Sequence, residues 1–441
     1  MKKGLVYYKD KLAGEITETD DGDFIFLYSK SYLEDMAALP LSYSLPLQRE
    51  AFSSQYINGF FDGLLPEGWI LGLASTYWKY HPIRDRFNLL LKTCQDPIGA
   101  VSIVQSSTEE LREEPSPDIY KERKITNPGK CLYCYEKLEN GEFHEKCSTQ
   151  FFKSNNPPSI YLNREILNEL SLLNIKNGNT IPGVQNKISL SLQKNGKSER
   201  LTLAHLSGNY ILKPKGKIPH IPENEDLILK LARSYGMSTA ESTLVFLESN
   251  ELALLIKRFD REDDGSKIHM EDFCQILDQI TERKYIGSYQ KVAKTLRKYC
   301  AENAPADQLL RLFELIVFSF IVGNSDLHLK NISVLLNEKA SLSPAFDLLS
   351  FEIYQEDFKE HDNEQMALSI NGKKNKLNRE DFDKLANIFE IKEKVRNYIY
   401  KKFESKVSLW DELISKSFLP ENKKEKLKSL IRERMSLFIG P

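Results

Sequence analysis

Apolar and polar positions alternate over residues 4–8, 12–16 and 23–28, a period of two that predicts a small antiparallel sheet at the start of the chain. The period then changes. Apolar residues recur at helical spacing over 51–65 and 84–92, so the first 105 residues read as an α+β domain. Residues 106–130 are rich in Ser, Glu, Pro and Lys and poor in apolar side chains, the composition of a linker. After Pro157 and Pro158 the pattern is strand-bearing to about Phe259 and mostly helical beyond it. A nearly continuous apolar stretch over 309–322 is too short to cross a bilayer; it predicts a buried helix stopped by Gly323 and Asn324. No internal repeat or low-complexity tract interrupts this order.

Composition narrows the class. At 441 residues the chain should form two or three domains, and 41% hydrophobic residues supply real cores. The basic start Met1-Lys2-Lys3 is followed by too short an apolar run for a signal peptide, and no stretch is long enough to span a membrane. With 61 basic and 63 acidic residues, a net charge of -2 gives no general drive toward nucleic acid. Six cysteines in a chain of this size without an export signal suggest a reducing cytoplasm rather than a disulfide framework.

Directly after the apolar stretch stand Asp326 and Asn331, five apart, with Asp347 further on. A kinase catalytic loop uses this spacing: a carboxylate orients the acceptor hydroxyl and an amide ligates Mg²⁺. Residues 332–336 read as a strand, 337–339 as a turn, and 340–346 as a return that delivers Asp347 as a second oxygen ligand. The alternative makes Asp326 a helix cap and Asp347 a turn residue.

The parts such a site needs upstream occur in the right order. Gly183, Val184, Gln185 and Lys187 precede a strand beginning at Ile188, so a glycine turn could present backbone N–H groups to phosphates. Lys213 ends another strand, where its cation could meet the α and β phosphates or simply be solvated. Glu225 opens a helical pattern and could pair with Lys213, or serve as a first-turn residue favoured by the helix dipole. The apolar strand 252–256 leads to Lys257, Arg258, Phe259 and Asp260. There a hinge would offer backbone to adenine at Lys257 to Phe259, the Phe259 ring, and Asp260 to a ribose; the alternative for Arg258 and Asp260 is a local salt bridge.

Three of the cysteines cluster. Cys131 and Cys134 form a CxxC knuckle, and His144 and Cys147 follow as an HxxC pair. Three thiolates and an imidazole can complete a tetrahedral zinc site, stapling a segment too small to bury its own core. The alternative is three reduced, unliganded cysteines. Because the knuckle is far in sequence from every nucleotide contact, phosphoryl transfer is expected to survive loss of the metal. Cys94, Cys274 and Cys300 lack such neighbours and read as buried or inert.

Over nearly its whole length the chain resembles the HipA family of bacterial toxin-type serine/threonine kinases. The resemblance is carried by residues 41–47, 60–68 and 99–101 in the first domain. In the second it is carried by the Gly183-Val184-Gln185-x-Lys187 loop, Ile211 to Pro214, Asn224-Glu225, residues 257–261 and 271–275, and the loop from Asp326 to Asn331.

It implies a two-lobed, ATP- and Mg²⁺-dependent protein kinase: residues 1–105 an N-terminal α+β domain, 106–130 a linker, 131–152 a zinc-knuckle-like insert, 157–260 the N-lobe, and 261–441 the helical C-lobe. Asp326 would be the catalytic base, Asn331 and Asp347 the magnesium ligands, and Lys213 a phosphate contact, with His328 and Lys330 beside the nucleotide. Members phosphorylate their own phosphate-binding loop; the matching position here is Thr180, where some members have serine. The resemblance also implies a protein substrate of translation, such as an aminoacyl-tRNA synthetase, and a helix-turn-helix antitoxin, HipB, that binds operator DNA. The knuckle departs from the general family pattern. An inactive kinase-like scaffold for an antitoxin–DNA complex, or a small-molecule kinase, are the competing readings.

Overall fold

The computed structural model describes residues 1–106, 126–155, 157–158, 172, 187–195, 198–203, 208–262, 264–357 and 364–439. Thr180, Gly183, Val184 and Gln185 lie outside them.

Strands β1 (Lys2–Tyr8), β2 (Lys11–Glu18), β3 (Phe24–Tyr28), β4 (Phe52–Ser54) and β5 (Val101–Gln105) form an antiparallel sheet in the order β4-β3-β2-β1-β5. Helices α1 (Lys30–Leu33), α2 (Gly59–Leu64), α3 (Gly68–Trp78) and α4 (Arg86–Thr93) accompany it. Alternate residues Val6, Ile16, Phe26 and Ile103 meet Phe61 and Leu90 in one core. The helix expected over 51–65 is shorter than its periodicity suggests. Residues Phe52–Ser54 pair with β3 instead, and the helix begins only where the Asn58 side chain accepts the Phe60 N–H. Edge pairing outweighs local propensity there.

A second sheet takes β6 (Ile188–Asn195), β7 (Ser198–Leu203), β8 (Tyr210–Lys213), β9 (Ser242–Phe246) and β10 (Leu252–Lys257) in the order β7-β6-β8-β10-β9. The knuckle and its helix α5 (Glu145–Phe152) cover one face, where Cys131, Tyr133 and Phe151 pack on Ile188, Leu212 and Leu255. Helix α6 (Ile221–Tyr235) covers the other face, its Leu227 and Leu231 sharing a core with Leu244, Leu254 and Ile256.

That core continues into a helical lobe. It contains α7 (Phe273–Ile276), α8 (Tyr289–Tyr299), α9 (Pro305–Ile321), α10 (Arg379–Ile388), α11 (Glu393–Glu404), α12 (Val407–Lys416) and α13 (Glu421–Ser436). A three-stranded sheet, β11 (His269–Asp272), β12 (Ser333–Leu336) and β13 (Ala340–Leu342), sits on the lobe beside the second sheet's exit. The predicted buried helix is α9, which is apolar enough to be wholly internal over Leu315 to Ile321. Among the described residues, no helix is long and apolar enough to cross a membrane.

Candidate active site

A cleft of about 1440 Å³ separates the second sheet from the helical lobe, and Lys187, Lys213, Glu225, Asp326, Asn331 and Asp347 all line it. The loop carrying Asp326 is set by the end of α9. Gly323 turns the chain at φ +70°, and a Cβ there would lie 2.5 Å from Leu430 and 3.0 Å from Glu352. The Asp326 N–H donates to the Asn324 side chain at 3.2 Å, and Asn331 donates its Nδ2–H to the Asp326 carbonyl at 2.8 Å. Asn331 is thereby fixed with its side-chain oxygen still available as a ligand.

Asp347 follows β13 with φ +55°, a backbone conformation that non-glycine residues rarely adopt. Its carboxylate receives Lys213 at 2.6 Å and Lys187 at 3.1 Å, while Lys213 also donates to Glu225 at 2.5 Å. Burial opposes the Asp347 charge, but the two ammonium groups outweigh it and hold the carboxyl well below its usual range. Burial likewise opposes the Lys213 charge, yet Asp347 and Glu225 leave its pKa raised. Glu225, fully buried, is pushed up to about 7 by burial despite Lys213. Its second oxygen has no hydrogen-bond partner among the described residues.

Burial also pushes Asp326 up to about 6, against the hydrogen bond that Tyr285 Oη donates to it at 2.7 Å. Tyr285 was not anticipated from the sequence, where an exposed tyrosine carries no spacing signal. It lines both the main cleft and an open groove of about 630 Å³. His328 packs edge-on to the Tyr285 ring at 5.0 Å, and burial pushes it down to about 3, so it is neutral.

Lys330 does reach the cleft wall, but its ammonium is bound to Asp272 at 3.1 Å and Glu67 at 3.5 Å. Glu67 also takes Lys284 at 3.1 Å. Residues 60–68, which the sequence marks without assigning them chemistry, thus form part of the cleft, with Gly63, Leu64 and Glu67 in its lining.

At the hinge position, Phe259 stacks obliquely on Phe346 at 5.6 Å. The Lys257 and Arg258 N–H groups already donate to the Glu241 and Asn209 carbonyls at 2.9 and 2.8 Å. The ribose role expected for Asp260 gives way to the salt-bridge alternative. Both its oxygens are engaged by Arg258 at 2.9 and 2.6 Å, and one also by Arg261 at 2.7 Å and Gly99 N–H at 3.0 Å.

The four expected zinc donors converge. Cys131 Sγ, Cys134 Sγ, His144 Nδ1 and Cys147 Sγ all lie within 4.8 Å of one another. His144 Nε2 stands 3.1 Å from the Lys137 carbonyl; donation there leaves Nδ1 facing the thiols at 3.4 and 3.8 Å. All six cysteines are free thiols.

A sheet lobe and a helical lobe around a cleft that gathers charged side chains, with a smaller α+β domain alongside, define a two-lobed, kinase-like protein. Residues 179–410 match the family model described as the HipA-like C-terminal domain, and residues 4–104 that of the HipA N-terminal domain. The chain belongs to the HipA family. It is 28% identical over 359 residues to "Putative kinase Y4mE" of Sinorhizobium fredii, covering 79% of this chain and 77% of that protein. Y4dM of the same organism, which carries the same description, is 28% identical over 402 residues, covering 86% and 84%. HipA of Shewanella oneidensis, solved with HipB and its operator DNA, shares the fold with a TM-score of 0.70 at 20% identity, over 98% of this chain and 96% of that one.

Proposed function

We propose that the protein is an ATP- and Mg²⁺-dependent serine/threonine protein kinase of HipA type. One observation carries this reading: Lys187, Lys213, Glu225, Asp326, Asn331 and Asp347 face a single cleft, although up to 160 residues separate Lys187 from Asp347. Asp326 would accept the proton of an acceptor hydroxyl as its oxygen bonds to the γ-phosphorus and the bond to the ADP oxygen breaks. Lys213, held by Glu225, and Lys187 would contact the phosphates. Phe259 would face the adenine.

Asn331 and Asp347 offer the oxygen donors that magnesium prefers, and the ion when bound would neutralise phosphate charge. Cys131, Cys134, His144 and Cys147 would hold a structural zinc, since a Cys₃His set with an oriented imidazole suits that ion. Thiol ligands of this kind fit a reducing cytoplasm. Family membership supports a translation protein, such as an aminoacyl-tRNA synthetase, as substrate, and the solved relative supports a HipB-type antitoxin, with operator DNA reached through it.

The test is transfer from labelled ATP with Mg²⁺ into cell-lysate proteins, with labelled species identified by mass spectrometry. Label should appear on serine or threonine, and Asp326→Ala should abolish it. Equal labelling by the wild-type and the variant would sink the assignment. Prolonged incubation should also phosphorylate the loop around Thr180 and lower activity, because about two added negative charges beside a phosphate cradle repel the nucleotide. Phosphopeptide mapping that finds residues 177–191 unmodified in an active preparation would remove that element.

A further inference from the structure

We propose that the cysteine–histidine knuckle is a metal-dependent latch on the helix that carries Glu225, so that zinc bound by Cys131, Cys134, His144 and Cys147 sets the catalytic geometry from the far side of the lobe. The inference rests on the zinc and kinase readings above. It reverses the expectation, drawn from distance along the sequence, that phosphoryl transfer would ignore the metal.

The knuckle presents two tyrosines to its surroundings. Tyr135 follows Cys134 directly, has φ +67°, and is 2% exposed. Its hydroxyl donates to Asp226 Oδ2 at 2.6 Å, and Asp226 is the neighbour of Glu225 on α6. The same carboxylate takes Lys230 at 2.6 Å and the Ser242 hydroxyl at 2.7 Å, and Lys230 lies 4.8 Å over the Tyr135 ring. Tyr133 donates to Glu241 at 3.1 Å, whose carbonyl anchors the Lys257 N–H at the hinge position. On its other side Tyr135 meets Phe418 edge-on at 5.5 Å, while Lys130 donates to the Lys416 and Ser417 carbonyls at 2.7 and 2.6 Å.

The knuckle therefore touches the helix, the hinge and the end of α12 at once. Within the knuckle, Cys131 N–H bonds the Glu136 carbonyl at 2.8 Å and Tyr135 N–H the Cys131 carbonyl at 2.9 Å, so the turn aiming Tyr135 is the turn that brings Cys131 and Cys134 together. A segment this short has little core of its own, and ligation is what would keep that turn closed. Once it opens, Tyr135 leaves Asp226, a fully buried carboxylate, with one donor fewer. The helix then loses a fixed point one residue from Glu225.

Tyr135 and Asp226 are positioning residues acting through Glu225 on Lys213. The experiment uses the full chain, with zinc content, amide hydrogen exchange along residues 221–235, and kcat and KM for ATP measured before and after chelation and after zinc is restored. Chelation should remove about one zinc per chain. It should speed exchange in that helix and lower kcat by roughly two- to thirty-fold, the range of coupling carried by packed networks; restored zinc should reverse both.

Tyr135→Phe keeps the ring and the metal ligands. It should retain zinc and still raise exchange and lower kcat, a separation that a merely structural knuckle would not produce. Protein without zinc, helix exchange unmoved by zinc loss, or a Tyr135→Phe variant with wild-type exchange and kcat would each overturn the proposal. The exchange arm needs no turnover, so a chain that transfers no phosphate would defeat the kinase reading while leaving the latch decided by exchange.

Discussion

At Asp326, burial and function oppose each other. Because its folded pKa is raised to about 6, above the ordinary carboxylate value, its contribution to stability is present below about pH 4 and lost as pH rises through about 6. Ionised at neutral pH, it would serve the proposed transfer as a base held ready at a cost to the fold. Asp326→Asn should accordingly reduce phosphoryl transfer by a factor of about 100 to 10,000, while at pH 7.5 denaturant unfolding finds the variant no less stable than wild type and up to about 2 kcal/mol more so. Wild-type kcat/KM should fall below about pH 6 as the base is protonated.

Sequence spacing alone picked out Asp326, Asn331 and Asp347, because one short hairpin supplies all three. Tyr285 escaped, since it reaches the cleft by tertiary packing with no local pattern to announce it, and Glu67 was marked only as part of residues 60–68, with no chemistry assigned to it. Asp260 stood between two roles, a ribose contact and a local salt bridge. Its sequence neighbours Arg258 and Arg261 supply the salt bridge, and the Gly99 N–H that completes the set comes from a turn far along the chain, which a linear reading does not bring near.

Among elements, the placement of α2 depends on missing atoms. A Cβ on Gly59 would stand 2.5 Å from the Gln279 backbone nitrogen, and one on Gly63 2.4 Å from the Gln275 side chain. Backbone cannot yield as a flexible side chain can. Gly59→Ala should therefore destabilise the protein by about 1–3 kcal/mol, read as an earlier urea midpoint, and Gly63→Ala by less because Gln275 can swing. Equal midpoints for Gly59→Ala and wild type would show that α2 is not seated this closely. The α9 helix and strands β12 and β10 were legible because an apolar run bounded by turn residues has one sensible burial. The three-residue strand β4 was not, because its register is dictated by β3 and not by its own residues.

Across the whole molecule, the N-terminal domain is joined to the helical lobe by a buried acid. Glu271 accepts the Ser42 hydroxyl at 2.5 Å, the Tyr43 N–H at 3.2 Å and the Tyr299 hydroxyl at 2.5 Å, with His269 3.9 Å away. Burial pushes Glu271 up to about 7 against those three donors, and burial pushes His269 down to about 4, so the histidine brings no compensating charge. The stability from this group is present at acid pH and lost as pH rises through about 7. Wild type should lose this contribution between about pH 4.5 and 7, and thermal melts across that window should show Glu271→Gln flattening the loss by about 1–3 kcal/mol. A pH slope unchanged by the substitution would exclude Glu271 as its source.

Tyr285 lines both the main cleft and the open groove beside it. If the cleft holds the nucleotide of the proposed transfer, the groove face of the same phenol would be left for an acceptor. Two substrates seated on either side of one ring would be expected to react as a ternary complex, and initial-rate lines that converge rather than run parallel would be its signature.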